Sequence, residues 1–419
     1  MSDIHAPASN TNGYGLDGIS VDAASARRNT AAPRAMHGLS VEITDVTRFA
    51  GECAAWTDLL ARADMPNVFM DPALVRAAAD ANPRIRYRAL MAWRQAGSGR
   101  QLVGAWAFAV GNACRSLLPT RVINAPFHFQ SHLATPVVDR NCPDAAFEAM
   151  LDCIADDPEL PKIAAFDMMG TGGPTYAALM RVLTRRGGSV CVFEQSTRPR
   201  LESNLDGKAY LESSLSSSTR KKLRQHRRRL SEKGRLESVI ASEPQAVRSA
   251  LEQFLAMEAA GWKGAQGTAL LSNKADAAFI RGAIGGLAER GCASIHSLNL
   301  DGKPVSMQIV ARAGDVAFTW KTTYDEAFHE FSPGALLLED YTAAFLADES
   351  IAAVDSCSFD DTGLMSAWSE RQPIADLWID VRRGGSLGFG LVSGAQKHYR
   401  DLRGAAKRAY HAWQKSRKR

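Results

Sequence analysis

Residues 316–346 read VAFTWKTTYDEAFHEFSPGALLLEDYTAAFL, and the fold follows from how that run divides. It opens with the apolar alternation of a strand ending near Lys321 and closes with an apolar-periodic helix that begins near Pro333. A polar loop lies between. Ser332, Pro333 and Gly334 supply a cap, a first-turn proline and a residue without Cβ. A strand that runs through a loop into a helix N-terminus aims unpaired backbone N–H groups at one spot, where a phosphate fits. Helix capping alone also accounts for the Ser-Pro-Gly run.

Upstream, strands are expected near 293–300 and 304–311. The tight turns at 301–303 and 313–315 join them to the 316–321 strand as an antiparallel meander. Helices over 246–260 and 276–290 precede it, separated by GWKGAQGTALL. Downstream come a strand at 352–357, a helix near 363–371 and a last strand at 374–381. The first half alternates similarly: a strand from Leu39, a helix over 52–62, a helix starting at Asp71-Pro72, and strands at 87–93 and 101–110 joined by GSGR. A helix over 144–155, the strand IAAFDM, the turn GTGG at 170–173, a helix over 176–186 and a strand at 189–194 complete it. This alternation says α/β or α+β. The GTGG turn lacks both GxGxxG spacing and a P-loop lysine, so it reads as a tight connection.

The chain has 419 residues, 46% hydrophobic and 23% charged, enough to bury cores in two domains. A net charge of +5 tolerates an anionic partner without requiring one. Seven cysteines, at 53, 114, 142, 153, 191, 292 and 357, form neither a CxxC pair nor a zinc spacing, so a reducing cytoplasm is expected and metal is not. Residues 1–37 lack the apolar core of a signal peptide and read as a disordered tail. No apolar run reaches membrane-spanning length.

Trp320-Lys321, Tyr324-Asp325-Glu326, Phe328, Ser332-Pro333-Gly334 and Leu337-Leu338 together resemble the "WK..YDE.F...SPG..L" segment of the CelD-type, BioF-like acyltransferases, within the GNAT (N-acetyltransferase) superfamily. The likeness covers about 213–377 well and the first half by order of elements, best around 66–77. It implies two GNAT-like halves (38–205 and 206–392) with mixed and largely antiparallel sheets flanked by helices; residues 393–419 read by their own pattern as a basic C-terminal helix. It also implies an N-acyltransferase using acyl-CoA as co-substrate, with no permanently bound cofactor. The donor phosphates would sit at Ser332, Gly334 and Ala335. The glycine-rich Q/RxxGxG/A signature of that turn is absent apart from Gly334, which bears on the donor more than on the fold.

Acyl transfer to an amine needs a proton acceptor, donors for the thioester oxygen and an acid for the leaving thiolate. Lys321, Tyr324 and Asp325 are candidates at the ligand turn, and a structural Lys321–Asp325 ion pair is the alternative. Asp355 and Cys357 share one face of the following strand. For Cys357 a small buried apolar role competes with that of nucleophile. Glu258 and Trp262 share a helix face at i,i+4; by resemblance Glu258 is a possible base, with Trp262, Lys263 and Trp320 at the acceptor. Arg371 is a candidate partner for Asp355.

Residues 219–233 form a basic helix with one stripe at Leu215, Leu223 and Leu230; Arg220, Arg224, Arg227, Arg228 and Arg229 suit coenzyme A phosphates, nucleic acid, an acidic lipid surface or solvent. No aromatic residues interleave for base stacking, so no specific nucleic acid is expected. The segment also resembles that of Fem-type peptidyltransferases, which use aminoacyl-tRNA and remain an alternative beside a non-catalytic nucleic-acid-binding module. In the C-terminal helix Tyr399, Leu402, Ala406, Tyr410 and Trp413 form one side. That side is expected to dock on the domain, with an anionic membrane surface as the alternative.

Overall fold

The computed structural model describes residues 34–113, 119–125, 127–128, 130–358, 365 and 367–417. The first half comprises β1 (Arg34–Met36), β2 (Leu39–Asp45), α1 (Val46–Ala50), α2 (Cys53–Arg62), α3 (Pro72–Ala81), β3 (Tyr87–Ala96), β4 (Gly99–Asn112), β5 (Arg121–Ala125), β6 (Val137–Val138), α4 (Pro143–Asp156), β7 (Ile163–Gly170), α5 (Pro174–Arg185) and β8 (Val190–Leu201). The second comprises α6 (Gly207–Ser214), α7 (Ser217–Ser231), β9 (Leu236–Ala241), α8 (Pro244–Ala260), α9 (Trp262–Ala265), α10 (Lys274–Ala288), β10 (Ala293–Leu300), β11 (Lys303–Ala313), β12 (Val316–Tyr324), α11 (Pro333–Ala347), β13 (Ala353–Asp355), β14 (Glu370–Asp380) and α12 (Leu387–Arg417).

The expected α/β architecture is present as one mixed sheet that runs through both halves in the order β1-β2-β3-β4-β5-β7-β14-β8-β13-β12-β11-β10-β9, with β6 beside β4. The meander β10-β11-β12 is antiparallel, as its tight turns require. The last strand, β14, returns to lie between β7 and β8. On one face a continuous core unites helices and strands of both halves, Phe69 meeting Phe318 and Trp320 edge-on. On the other face α6, α7 and α11 cover a second core containing Leu223, Leu230, Leu337 and Phe345. The halves also meet where α10 crosses α3. Gly286 faces Ala73 so closely that an added Cβ would come within 2.9 Å of the alanine methyl.

Several expectations need correction. Residues 34–37, read as tail, form β1 and the turn that pairs it with β2; residues 1–33 lie outside the described ones. β9 and α6 were not legible, because β9 is an edge strand whose Val239 and Ile240 stay exposed and α6 spans only about two turns. The helix expected near 363–371 falls partly outside the described residues, and its end, Glu370 and Arg371, instead begins β14. Arg371 donates to the carbonyls of Trp368 and Glu370, while a different arginine reaches Asp355. In α12 it is Phe389, Ser393 and Gln396 that dock, while Leu402, Tyr410 and Trp413 face outward.

Candidate active site

Parallel strands normally stay in register along their length, but β12 and β13 pair only over Val316–Phe318 and Ala353–Asp355 and then part. A bulge completes the separation. Ile309 of β11 faces Lys321 and Val310 faces Thr319, so Trp320 is the extra residue, and the strand turns there. The opening has one arm carrying Trp320 and Lys321 and another carrying Ser356 and Cys357, with Asp355 at its apex.

Asp355 is 1% exposed. Its Oδ1 accepts from the guanidinium of Arg198 at 3.3 Å and from the Cys357 N–H at 2.8 Å, while Oδ2 has no partner among the described residues. Arg198 is equally buried and donates its second Nη to the His132 carbonyl. A cavity of about 270 Å³ is lined by Asp355 and, among others, by Met65, Leu133, Gly172, Phe318 and Arg371, so both halves form it. Cys357 has a left-handed backbone (φ 52°), and burial pushes its thiol well above the usual range, so it is protonated at neutral pH.

Lys321 makes no ion pair with Asp325. The Asp325 carboxylate instead accepts from the Ala327 N–H and caps the 3-10 turn Glu326–Phe331. Desolvation lowers the Lys321 ammonium to about 8, helped by the charge of Lys263 and opposed by Glu258 and Asp276. Asp276, in the first turn of α10, is raised by burial to about 6, and its Oδ1 has no partner among the described residues. His128, stacked 3.8 Å from Phe279, is held neutral by burial with a value near 3. Glu258 has both oxygens engaged, by Lys263 at 2.9 Å and by the Leu270 N–H at 2.8 Å. Lys263 also donates to the Thr322 carbonyl, and the Trp262 N–H donates to Glu326, tying α9 to the end of β12. Trp320 is buried and donates to the Gln130 carbonyl at 2.8 Å, joining the halves behind Lys321. Tyr324 is half-buried at the last position of β12.

The helix start differs from its sequence reading in one respect. Ser332 is left-handed (φ 50°) and its side chain does not cap α11; the Ala335 N–H donates to the Ser332 carbonyl at 2.9 Å, and at Gly334 no side chain screens the helix dipole. The basic helix α7 lies against this turn. Arg229 and Lys233 sit 5.2 and 5.3 Å over the Phe331 ring, and Arg229 pairs with Glu330 at 3.0 Å. Arg227 bonds the Leu336 carbonyl and Asp340, while Lys222 and Arg224 remain exposed. Two signals far apart in sequence thus meet at one helix N-terminus.

Residues 217–361 match the family model described as an acetyltransferase (GNAT) domain. Residues 217–361 form a GNAT-type N-acyltransferase domain. Its strand meander, the parting of β12 from β13 and the α11 turn all fall inside the match. A crystal structure of FemX has the same fold at 10% identity, with 81% of this chain and 98% of that one covered and a TM-score of 0.52. A conserved protein of unknown function from Bacteroides thetaiotaomicron (11% identity, 79% and 96% covered, TM-score 0.47) and the C-terminal domain of a putative lysylphosphatidylglycerol synthetase from Agrobacterium fabrum (13%, 79% and 92%, 0.47) are weaker likenesses. No curated protein matches the sequence. The chain therefore carries the GNAT/Fem-like fold through both halves.

Arg198, His128, His132 and Asp276 were absent from the sequence reading. Asp276 looks like an ordinary first-turn carboxylate, and the others come from the first half, whose approach no local pattern announces. His37, Glu148 and Asp152 also converge, but Arg186 and Arg383 pair with both carboxylates. That makes a neutralised surface cluster.

Proposed function

We propose that the GNAT domain transfers an acyl group from an acyl-CoA to an amine at the opening between β12 and β13. The carrying observation is that parting, with the desolvated Lys321 on one arm and the orphaned Asp355 oxygen at the apex. The donor diphosphate rests at the start of α11 on the Gly334 N–H, beside Ser332 and Ala335, and Lys222 and Arg224 of α7 add positive charge. The pantetheine arm then lies along the edge that β12 exposes once β13 has left it.

The acceptor amine enters through the cavity between the halves, and Asp355 Oδ2 accepts its N–H. Attack of the nitrogen on the thioester carbon breaks the carbonyl π bond, and Lys321 donates to the oxygen that gains the electron pair. Collapse expels the thiolate and forms the amide; the proton lost by the amine leaves through Asp355 to the thiolate or solvent. Glu258 and Asp276 together hold Lys321 sufficiently basic to stay protonated near neutral pH. Glu258, with both oxygens spent, positions Lys263, and Trp262 and Trp320 shape the wall. Tyr324 and Asp325 frame the donor turn.

The WK…YDE.F…SPG run supports a CelD-type, BioF-like reading within the superfamily, and a cytoplasmic place is proposed on cysteine usage. Among the described residues no helix is long and apolar enough to cross a membrane. Calorimetry with acetyl-CoA and longer acyl-CoA thioesters tests the donor. Micromolar binding that Gly334→Asp weakens at least tenfold is expected, and no binding at any chain length would overturn the reading.

A further inference from the structure

We propose that α12 is a docking helix for an anionic lipid surface. Its inner face is already satisfied. Phe389, Ser393 and Gln396 are buried at i, i+4 and i+7, and one turn on Arg400 pairs with Asp376 at 3.1 Å and lies 4.6 Å over the Phe193 ring. The rest of the helix presents a second stripe. Leu387 is 91% exposed, Leu391 76%, Leu402 59% and Trp413 50%. At 100° per residue they fall within a sector of about 80°, away from the docked side. Four large apolar side chains in one row on a helix that is already anchored are covered by nothing among the described residues.

Charge selects the occupant. From 387 to 419 the sequence has nine Lys and Arg (397, 400, 403, 407, 408, 415, 417, 418, 419) against one acid, Asp401, a net of +8. The whole chain is +5, so the remainder is −3. A second copy would bring +8 against +8 along the same row, and nucleic acid offers nothing for exposed leucines. An anionic bilayer answers both features: the leucines and Trp413 enter the acyl boundary while Lys397 and Arg403, both exposed, stay at the headgroups. The acyl-transfer opening would then work beside a membrane, although this docking does not rest on that chemistry.

The test is flotation of the full chain with vesicles of phosphatidylcholine alone and with 30% phosphatidylglycerol. Binding to the anionic vesicles, at least tenfold weaker to the neutral ones and falling steeply between 50 and 300 mM salt, is expected. The exposed-site variant Leu391→Gln/Leu402→Gln should lose at least tenfold in binding with an unchanged melting temperature. Equal binding to both vesicle types, or no binding, would overturn the proposal. So would a micromolar dimer in light scattering that the same double variant dissolves, because the stripe would then belong to a second copy. Loss of acyl-CoA binding leaves this result untouched, which keeps the two readings separable.

Discussion

Replacing Lys321 by Met should make the protein more stable and less active at the same time. The methionine keeps the unbranched stem and removes the ammonium. In the native protein that ammonium titrates near 8 instead of 10.5, which at 1.36 kcal/mol per pH unit corresponds to about 3 kcal/mol disfavouring the charged form. The side chain keeps some solvent contact, so the expected gain at pH 7 is about 2 kcal/mol. The sign follows from proton counting. Between about pH 8 and 10.5 the unfolded chain holds a proton on Lys321 that the native chain does not, so wild-type stability rises with pH through that window relative to the variant. The advantage of Lys321→Met should therefore be full below pH 8 and fade by about pH 10.5. Urea unfolding of both proteins at pH 7, 9 and 10.5 reads this difference, and single-turnover CoA release should fall about a hundredfold or more in the variant. A less stable Lys321→Met whose deficit does not change with pH would show that the lysine is a satisfied ion-pair partner and refute the reasoning.

Three further outcomes follow from neighbouring groups. Asp276→Asn removes an anion that raises Lys321, so the alkaline limb of kcat/KM, expected near pH 8 in the wild type, should move to lower pH; an unmoved limb would dissociate the two groups. Asp355→Asn strips Arg198 of its buried partner and should cost about 3–5 kcal/mol in denaturant unfolding, whereas Arg198→Met/Asp355→Leu should lie within about 1–2 kcal/mol of wild type while remaining inactive. Asp325→Ala loses only the cap on the 326–331 turn, about 1 kcal/mol of stability, and turnover per folded molecule should stay within a few fold, in contrast to Lys321→Met.

The sequence was most informative where local physics sufficed. The meander turns, the Pro333 helix start and the burial of Leu223 and Leu230 on α7 each follow from residues within one or two turns of each other and stand as read, while Leu215 belongs to the end of α6. The site was legible only on the strand side. Lys321 and Asp355 could be named because one closes an apolar strand and the other follows the ligand helix, but their electrostatic surroundings come from far along the chain: Arg198 from β8, His128 and His132 from the segment before β6, Asp276 from α10. The α12 error has the same origin. Periodicity finds an apolar stripe but not which side a helix turns inward, and here Arg400, with its ion pair and its ring contact, helped to fix the inner face. Ser332 likewise has a capping residue's identity and a left-handed backbone that prevents it from capping.

A crystal structure with coenzyme A bound tests the central claim most directly. The account predicts the diphosphate within hydrogen-bond distance of the Gly334 N–H, the pantetheine arm between the parted ends of β12 and β13, and the sulfur next to Lys321 and Asp355. Coenzyme A seated elsewhere, or a β13 that closes onto β12 beyond Phe318 and leaves no room for the arm, would contradict it.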